Sequence, residues 1–143
     1  MRVLGLDVGS KTIGLAMTDE AGIAAHPLGV LARVGNSGDI AKIAALVLEH
    51  GVTDLVVGMP YELSGKVGHR GRVVQQFIKL LAAAITTVKI HEQDERFTTA
   101  EAERVLIAAD VSRAKRKDVI DQQAATLILQ TWFDAYRKRT ESR

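Results

Sequence analysis

An aspartate inside an apolar run near the start is the feature that most constrains this chain. Val3 to Ala16 reads Val-Leu-Gly-Leu-Asp-Val-Gly-Ser-Lys-Thr-Ile-Gly-Leu-Ala, two strands joined by a tight turn at Gly9-Ser10. Such a run belongs to a central strand covered on both faces. A carboxylate buried there without a partner costs several kcal/mol, against a total stability of about 5–15 kcal/mol for a domain. Asp7 is therefore expected to meet a cation, a metal or a hydrogen-bonding ligand. The alternative is that the strand stops at Leu6 and Asp7 accepts turn amides.

The rest of the chain must supply the layers that bury this strand. Its 143 residues fit one domain, expected over residues 1–139 with a frayed polar tail at 140–143, and a chain of this length buries about 68–70% of its unfolded surface. Aromatic residues make up only 4%, so the core is aliphatic. No cysteine is present, which excludes a disulfide framework, a thiolate zinc site and a cysteine nucleophile together and fits a reducing cytoplasm. No apolar run reaches the ~20 residues that span a bilayer, and Asp7 interrupts what would have to be a signal-peptide core. The expectation is a cytoplasmic chain with no membrane partner. The 19 basic and 17 acidic residues nearly cancel, so their distribution matters more than their sum.

Read in order, the second strand covers Ile13 to Thr18. Asp19-Glu20-Ala21-Gly22 is a hairpin turn with Gly22 in a left-handed position. A third antiparallel strand runs from Ile23 to Leu31, where Pro27 marks an edge or a bulge. Asn36 and Ser37 are candidate caps for a helix from Asp39 to His50, with Ile40, Ile43, Ala44, Val47 and Leu48 on its apolar face and Gly51 as its stop. Leu55 to Gly58 is a short apolar strand of the parallel type, ended by Met59-Pro60. Tyr61 to His69 has no period and reads as a mobile loop. A helix to Ala84 follows, with Val73, Phe77, Leu80, Leu81 and Ala84 inward, then a strand from Val88 to His91. Thr98-Thr99-Ala100-Glu101 resembles a capping box that opens another helix, and a last helix runs from Lys117 to Tyr136. Right-handed crossovers turn this order into a mixed five-stranded sheet, an antiparallel meander of three strands plus two parallel strands, with helices on both faces.

Three acidic places can carry chemistry. Asp7 is one. Glu95, in Gln93-Asp94-Glu95-Arg96, follows the fifth strand, where open sheets gather their active sites. Glu95 is favoured over Asp94, although period counting does not separate neighbours across a turn, and a solvated turn near a helix start is the plainer alternative. Asp121 shares a helical stripe with Ala125, Ile128 and Trp132, so it faces the core side of its helix. Asp118 lies one turn earlier on a similar face. A buried ion pair, for instance with Lys117, is the alternative role for Asp121. Three acids at one sheet end repel each other, and divalent cations relieve the repulsion. All-oxygen ligands favour Mg²⁺ or Mn²⁺. Two such ions, roughly 3.5–4 Å apart, activate water and stabilise a leaving oxygen in phosphodiester hydrolysis.

The cations supply a substrate side. Lys66, Arg70 and Arg72 flank His69 in one basic segment, and Arg113-Ala114-Lys115-Arg116-Lys117 forms another. Either is expected to bind phosphates in a salt-sensitive way, unless it is only a solvated face. The scarcity of aromatics disfavours base stacking and favours recognition of backbone and shape.

At these motifs the chain resembles the YqgF family, also called RuvX-like or Holliday-junction-resolvase-like, of the ribonuclease H superfamily. The resemblance lies in Asp7-Val8-Gly9-Ser10-Lys11-Thr12-Ile13-Gly14-Leu15-Ala16, in Val57-Gly58-Met59-Pro60, in Asp94-Glu95-Arg96-Phe97-Thr98-Thr99, and in Asp121 with Ala124-Ala125 and Ile128-Leu129-Gln130. Met59 stands where that family's pattern has Leu. The four motifs cover almost the whole chain in order and are specific together. The resemblance implies a ribonuclease H-like fold and metal-dependent nuclease chemistry with Asp7, Glu95 and Asp121 as the acidic triad. On this reading Asp7 would bridge the ions, Glu95 and Asp121 would each hold one, and a metal-activated water would attack phosphorus with the 3′-oxygen leaving. Lys11 and Arg96 sit beside the acids and are placed to hold the scissile phosphate or to pair with a neighbouring carboxylate. It further implies maturation of the 5′ end of pre-16S ribosomal RNA in the bacterial cytoplasm, on ribosomal precursor particles, with four-way DNA junctions as the alternative substrate and a monomer or a homodimer as the working form. Resolvases carry a second acid near the end of the fourth strand, where this chain has Gly58-Met59-Pro60, with Glu62 only in the loop beyond.

Two other classes compete. An actin-like kinase or ATPase shares the Asp-x-Gly opening but needs two related domains, and this chain has room for one. A nucleic-acid-binding assembly factor without catalysis would bind better without the three acids, since carboxylates repel phosphate.

Overall fold

The computed structural model describes residues 1–96 and 113–141, the latter with side chains from residue 118 onward. Its elements are β1 (Val3–Val8), β2 (Thr12–Thr18), β3 (Ala25–Ala32), α1 (Asn36–His50), β4 (Asp54–Met59), α2 (His69–Ala84), β5 (Lys89–Asp94) and, numbered here as α3, the helix Arg113–Glu141. The capping box expected at Thr98 to Glu101 lies outside the described residues.

The strands form one sheet in the order β3-β2-β1-β4-β5. The β1–β2 and β2–β3 pairs are antiparallel, and the β1–β4 and β4–β5 pairs are parallel. This is the expected mixed five-stranded sheet. Strand β1 continues through Asp7 to Val8, and Asp7 pairs with Gly14, so the carboxylate belongs to the strand rather than to the turn. Strand β3 is an edge, and its register against β2 shifts between Leu15 and Ala16, which pair with Gly29 and Pro27. Pro27 thus sits at an edge bulge, as its missing N–H requires.

Strand alternation sorts the sheet into two faces. Leu4, Leu6, Val8, Ile13, Leu15, Met17, Leu55, Val57 and Met59 face α1 and α2 and form the larger core with Ile43, Phe77 and Leu81. Val3, Ala16 and Val56 face α3 and pack on Ala125, Ile128, Leu129, Trp132 and Phe133. The α3-facing side is thin because glycine takes three of its central positions. A Cβ on Gly5 would lie 2.8 Å from Leu129 Cβ, one on Gly58 2.6 Å from Ile128 Cδ1, and one on Gly14 2.1 Å from the carbonyl oxygen of Asp121. The helix therefore rests on the sheet backbone itself.

Several local expectations change. Helix α1 starts at Asn36 with Gly35 as its N-cap and no side-chain cap bond. Asn36 instead accepts a bond from Arg33 Nη2 at 2.7 Å. Leu48 is 86% exposed, because α1 buries the narrower stripe Ile40, Ile43 and Val47 together with Asp39. On α2 the inward residues are Gly71, Val74, Phe77 and Leu81, while Leu80 and Ala84 turn outward, so the buried stripe is rotated from the expected one. Strand β5 extends to Asp94 rather than His91. Helix α3 starts at Arg113 and ends at Glu141, beyond both expected ends. Gly22 and Gly51 adopt the left-handed conformation, with φ of 67° and 64°.

Candidate active site

Parallel pairing of β1, β4 and β5 brings their C-terminal ends to one edge of the sheet. Asp7 stands near the end of β1, and Glu95 follows the last residue of β5. The amide of Glu95 donates to the carbonyl of Met59 at 3.1 Å, which holds this residue against the end of β4. Gly58 makes room for it: a Cβ there would lie 2.4 Å from Glu95 Oε2. Alternation along β5 separates the two neighbouring acids. His91 faces α3, with its ring 4.6 Å from that of Trp132, and Glu95, four residues on, keeps to the same side. Asp94 points away. Its Oδ1 accepts from the Arg96 amide at 2.9 Å, and its Oδ2 from Arg96 Nε at 2.8 Å and Nη2 at 2.6 Å.

Asp7 and Glu95 are hydrogen-bonded to each other. Burial pushes Glu95 up to about 8, helped by the charge of Asp7 and by the bond between the two carboxyls, against the pull of Arg70. Asp7 is also raised, first by burial, then by the charge of Asp121, while the bond to Glu95 and the charge of Arg70 act the other way. Two carboxyls in one recess cannot both ionise cheaply, so each raises the other's hold on its proton or on a cation that takes the proton's place. Arg70 is the cation that moderates both acids, and it is anchored by donating from Nη2 to the carbonyl of Val8 at 2.9 Å.

Asp121 enters from α3. Its Oδ2 accepts from Thr12 Oγ1 at 2.7 Å. The alternative, an ion pair with Lys117, involves a side chain outside the described residues. Asp118 is exposed.

The donors gathered here are carboxylate oxygens alone, which suits a hard divalent cation. Burial and mutual charge raise both Asp7 and Glu95, which marks a recess where positive charge is wanted, so the residues fit Mg²⁺ or Mn²⁺. Among the described residues no group of three or more His, Cys, Asp or Glu side chains already stands in a coordinating cluster. The pair Asp7–Glu95 is in direct contact, and Asp121 reaches it through charge.

The expected phosphate-binding cations separate into groups. Arg70 lies at the acidic recess. Lys11 is exposed beside the β1–β2 turn. Arg96 is engaged by Asp94 and also reaches the Leu63 carbonyl at 3.4 Å. Arg72 is exposed, with Nη1 3.4 Å from the Val67 carbonyl. The side chains of Arg113, Lys115, Arg116 and Lys117 lie outside the described residues. Sequence reasoning missed Thr12 and the glycines Gly5, Gly14 and Gly58. A signal was present in β2, where Thr12, Gly14, Ala16 and Thr18 alternate with Ile13, Leu15 and Met17. A strand face of small residues marks a helix packed unusually close.

Comparison with known proteins agrees with this architecture. Residues 1–135 match the family model described as RuvX: Holliday junction resolvase. A protein of Desulforudis audaxviator (strain MP104C) named "Putative pre-16S rRNA nuclease" is 43% identical over 135 residues, covering 94% of this chain and 95% of that one. One of the same name from Moorella thermoacetica (strain ATCC 39073 / JCM 9320) is 45% identical over 134 residues, with 94% and 95% covered. In fold the chain is similar to T. thermophilus RuvC in complex with a Holliday junction substrate, with a TM-score of 0.56, 15% identity and 96% of each chain covered. It is also similar to the fowlpox virus Holliday junction resolvase, with a TM-score of 0.58, 11% identity and 95% and 99% covered. The fold is therefore ribonuclease H-like, of the RuvC type.

Proposed function

This chain belongs to the RuvX family, and from that premise we propose that it is a metal-dependent endonuclease with Asp7, Glu95 and Asp121 as its catalytic carboxylates and metal ligands. The observation that carries the reading is the recessed pair Asp7–Glu95 at the sheet edge, with Asp121 bearing on it from α3. Divalent cations bound there, one or two of Mg²⁺ or Mn²⁺, supply a lowered pKa for water and stabilisation of the leaving 3′-oxygen. The chain's own residues do the rest. The carboxylates fix where that charge sits. Arg70 faces the same recess and draws a phosphate toward the acids. Lys11 and Arg72, exposed on the surface, add affinity for the nucleic-acid backbone, and Arg96 joins them where a phosphate displaces Asp94. The run Arg113, Lys115, Arg116 and Lys117 is assigned the same phosphate-binding role on its charge.

The favoured substrate is the 5′ end of pre-16S ribosomal RNA, on precursor particles in the cytoplasm. Support comes from relatives at 43% and 45% identity that are named for this RNA and match over nearly their whole length. Among the described residues no helix is long and apolar enough to cross a membrane. A second reading, nicking of four-way DNA, is favoured by the family's description.

The test is cleavage of a pre-16S leader RNA and of a synthetic four-way junction by the purified chain with Mn²⁺ or Mg²⁺, beside Asp7→Asn. Metal-dependent RNA cleavage lost in the variant supports the proposal. Paired nicking of the junction in preference to RNA transfers it to resolution. An Asp7→Asn protein that folds and cleaves at full rate overturns the mechanism.

A further inference from the structure

Thr12 makes two bonds that meet at the acidic site. Its carbonyl accepts from the amide of Gly9 at 2.8 Å, closing the β1–β2 turn two residues after Asp7. Its hydroxyl donates to Asp121 Oδ2 at 2.7 Å, across 109 positions of sequence. Two residues along the same strand face, Gly14 pairs with Asp7 and lies against the Asp121 carbonyl. The start of β2 thus touches both the strand that carries the first carboxylate and the helix turn that carries the third.

We propose that Thr12 is a positioning residue that sets the Asp121 carboxylate for metal binding. The proposal rests on the nuclease reading above. An aspartate within a helix has more than one rotamer, and repulsion from Asp7 favours those that turn it away. A donated hydrogen bond to one oxygen fixes the direction of the side chain. A carboxylate has about four lone-pair sites on two oxygens, so that bond leaves capacity for a cation. Thr12 supplies no charge and no ligand; its effect passes through Asp121.

The experiment is calorimetric titration of Mn²⁺ into the full-length protein without nucleic acid, for wild type, Thr12→Val and Thr12→Ser, each first checked by thermal melting. Hydrogen-bond partners that orient metal ligands typically change affinity by about 10–100-fold when removed, so Thr12→Val is expected to bind Mn²⁺ at least about tenfold more weakly. Thr12→Ser keeps the hydroxyl and is expected to bind as wild type does. A merely structural role predicts the reverse order, since valine suits a strand and serine does not. If Thr12→Val fails to fold, Thr12→Ala against Thr12→Ser makes the same comparison of hydroxyl present and absent. Equal Mn²⁺ affinity in wild type and the hydroxyl-free variant overturns the role of Thr12 and leaves the nuclease reading standing. Absence of Mn²⁺ binding by wild type overturns the metal reading, and the role of Thr12 falls with it.

Discussion

Gly14 lies so close to Asp121 that a Cβ on the glycine would stand 2.1 Å from the aspartate carbonyl oxygen and 2.7 Å from its carbonyl carbon. The obstacle is backbone, so it cannot rotate aside. Since Gly14 also pairs with Asp7 across the β1–β2 ladder, this contact sets how near the helix carboxylate comes to the strand carboxylate.

Gly14→Ala is therefore expected to lift α3 from the sheet. Overpacking of this kind costs about 1–3 kcal/mol, measurable by urea denaturation. Cleavage and Mn²⁺ affinity should fall further than stability does, because the separation of the carboxylates changes directly. A variant that folds less stably but keeps full Mn²⁺ affinity would show that α3 does not depend on this contact for its position.

The raised proton affinities of Asp7 and Glu95 predict an unusual pH dependence for the metal-free protein. Glu95 has a folded pKa of about 8 against 4.5 for an ordinary glutamate, and Asp7 is also raised. The folded state then binds more protons than the unfolded state between those limits, so stability is greatest below the unfolded value and falls as pH rises toward 8. Each unit of elevation corresponds to about 1.4 kcal/mol. Melting temperature in chelator should drop from pH 5 to pH 8. Glu95→Gln should flatten the profile, and excess Mg²⁺ should restore stability at the upper end. A flat profile in the metal-free wild type would count against those raised affinities.

Arg70 holds down the proton affinity of both acids. Arg70→Gln should make that decline with pH steeper and extend it to higher pH, since both folded-state values rise further. Cleavage should also weaken. A decline unchanged from wild type in the same melts would mean that Arg70 and the recess are not electrostatically linked.

Arg33 and Asp39 form a pair at 2.9 Å, with the Asp39 side chain fully buried and Arg33 13% exposed. Burial pulls Asp39 upward, but the Val34 amide and Arg33 outweigh it and leave it below the usual carboxylate range. Arg33 also donates to the Gly9 carbonyl at 3.0 Å, which ties α1 to the β1–β2 turn. Arg33→Met should cost about 3–5 kcal/mol by leaving a buried charge unpaired, read by chemical denaturation at pH 7. The penalty should shrink in acid, because the pair's contribution is present above the unfolded pKa of Asp39 and is lost as pH falls through the folded one.

Much of this architecture was legible in the chain because the signals are local. The apolar run around Asp7, the left-handed glycines Gly22 and Gly51 and the edge proline Pro27 each constrain their own few residues. Where the structure departs, a tertiary partner decides. Leu48 satisfies the helical period, yet α1 is turned so that only the stripe through Ile40, Ile43 and Val47 meets the sheet. Asn36 and Ser37 have capping chemistry, but Arg33 takes Asn36. Asp94 and Glu95 are indistinguishable by spacing, and only the pleat of β5 sends Glu95 to the α3 side and Asp94 to Arg96.

Within the described residues the sequence by itself determined which segments become strands and helices and their order, since backbone preference and periodicity are properties of neighbouring residues. The tertiary structure alone decided that Thr12 bonds Asp121 and that Glu95 meets Asp7 in one recess. Those distances depend on how closely α3 settles onto a glycine-floored sheet, and close packing is a property of surfaces that meet only once the chain has folded.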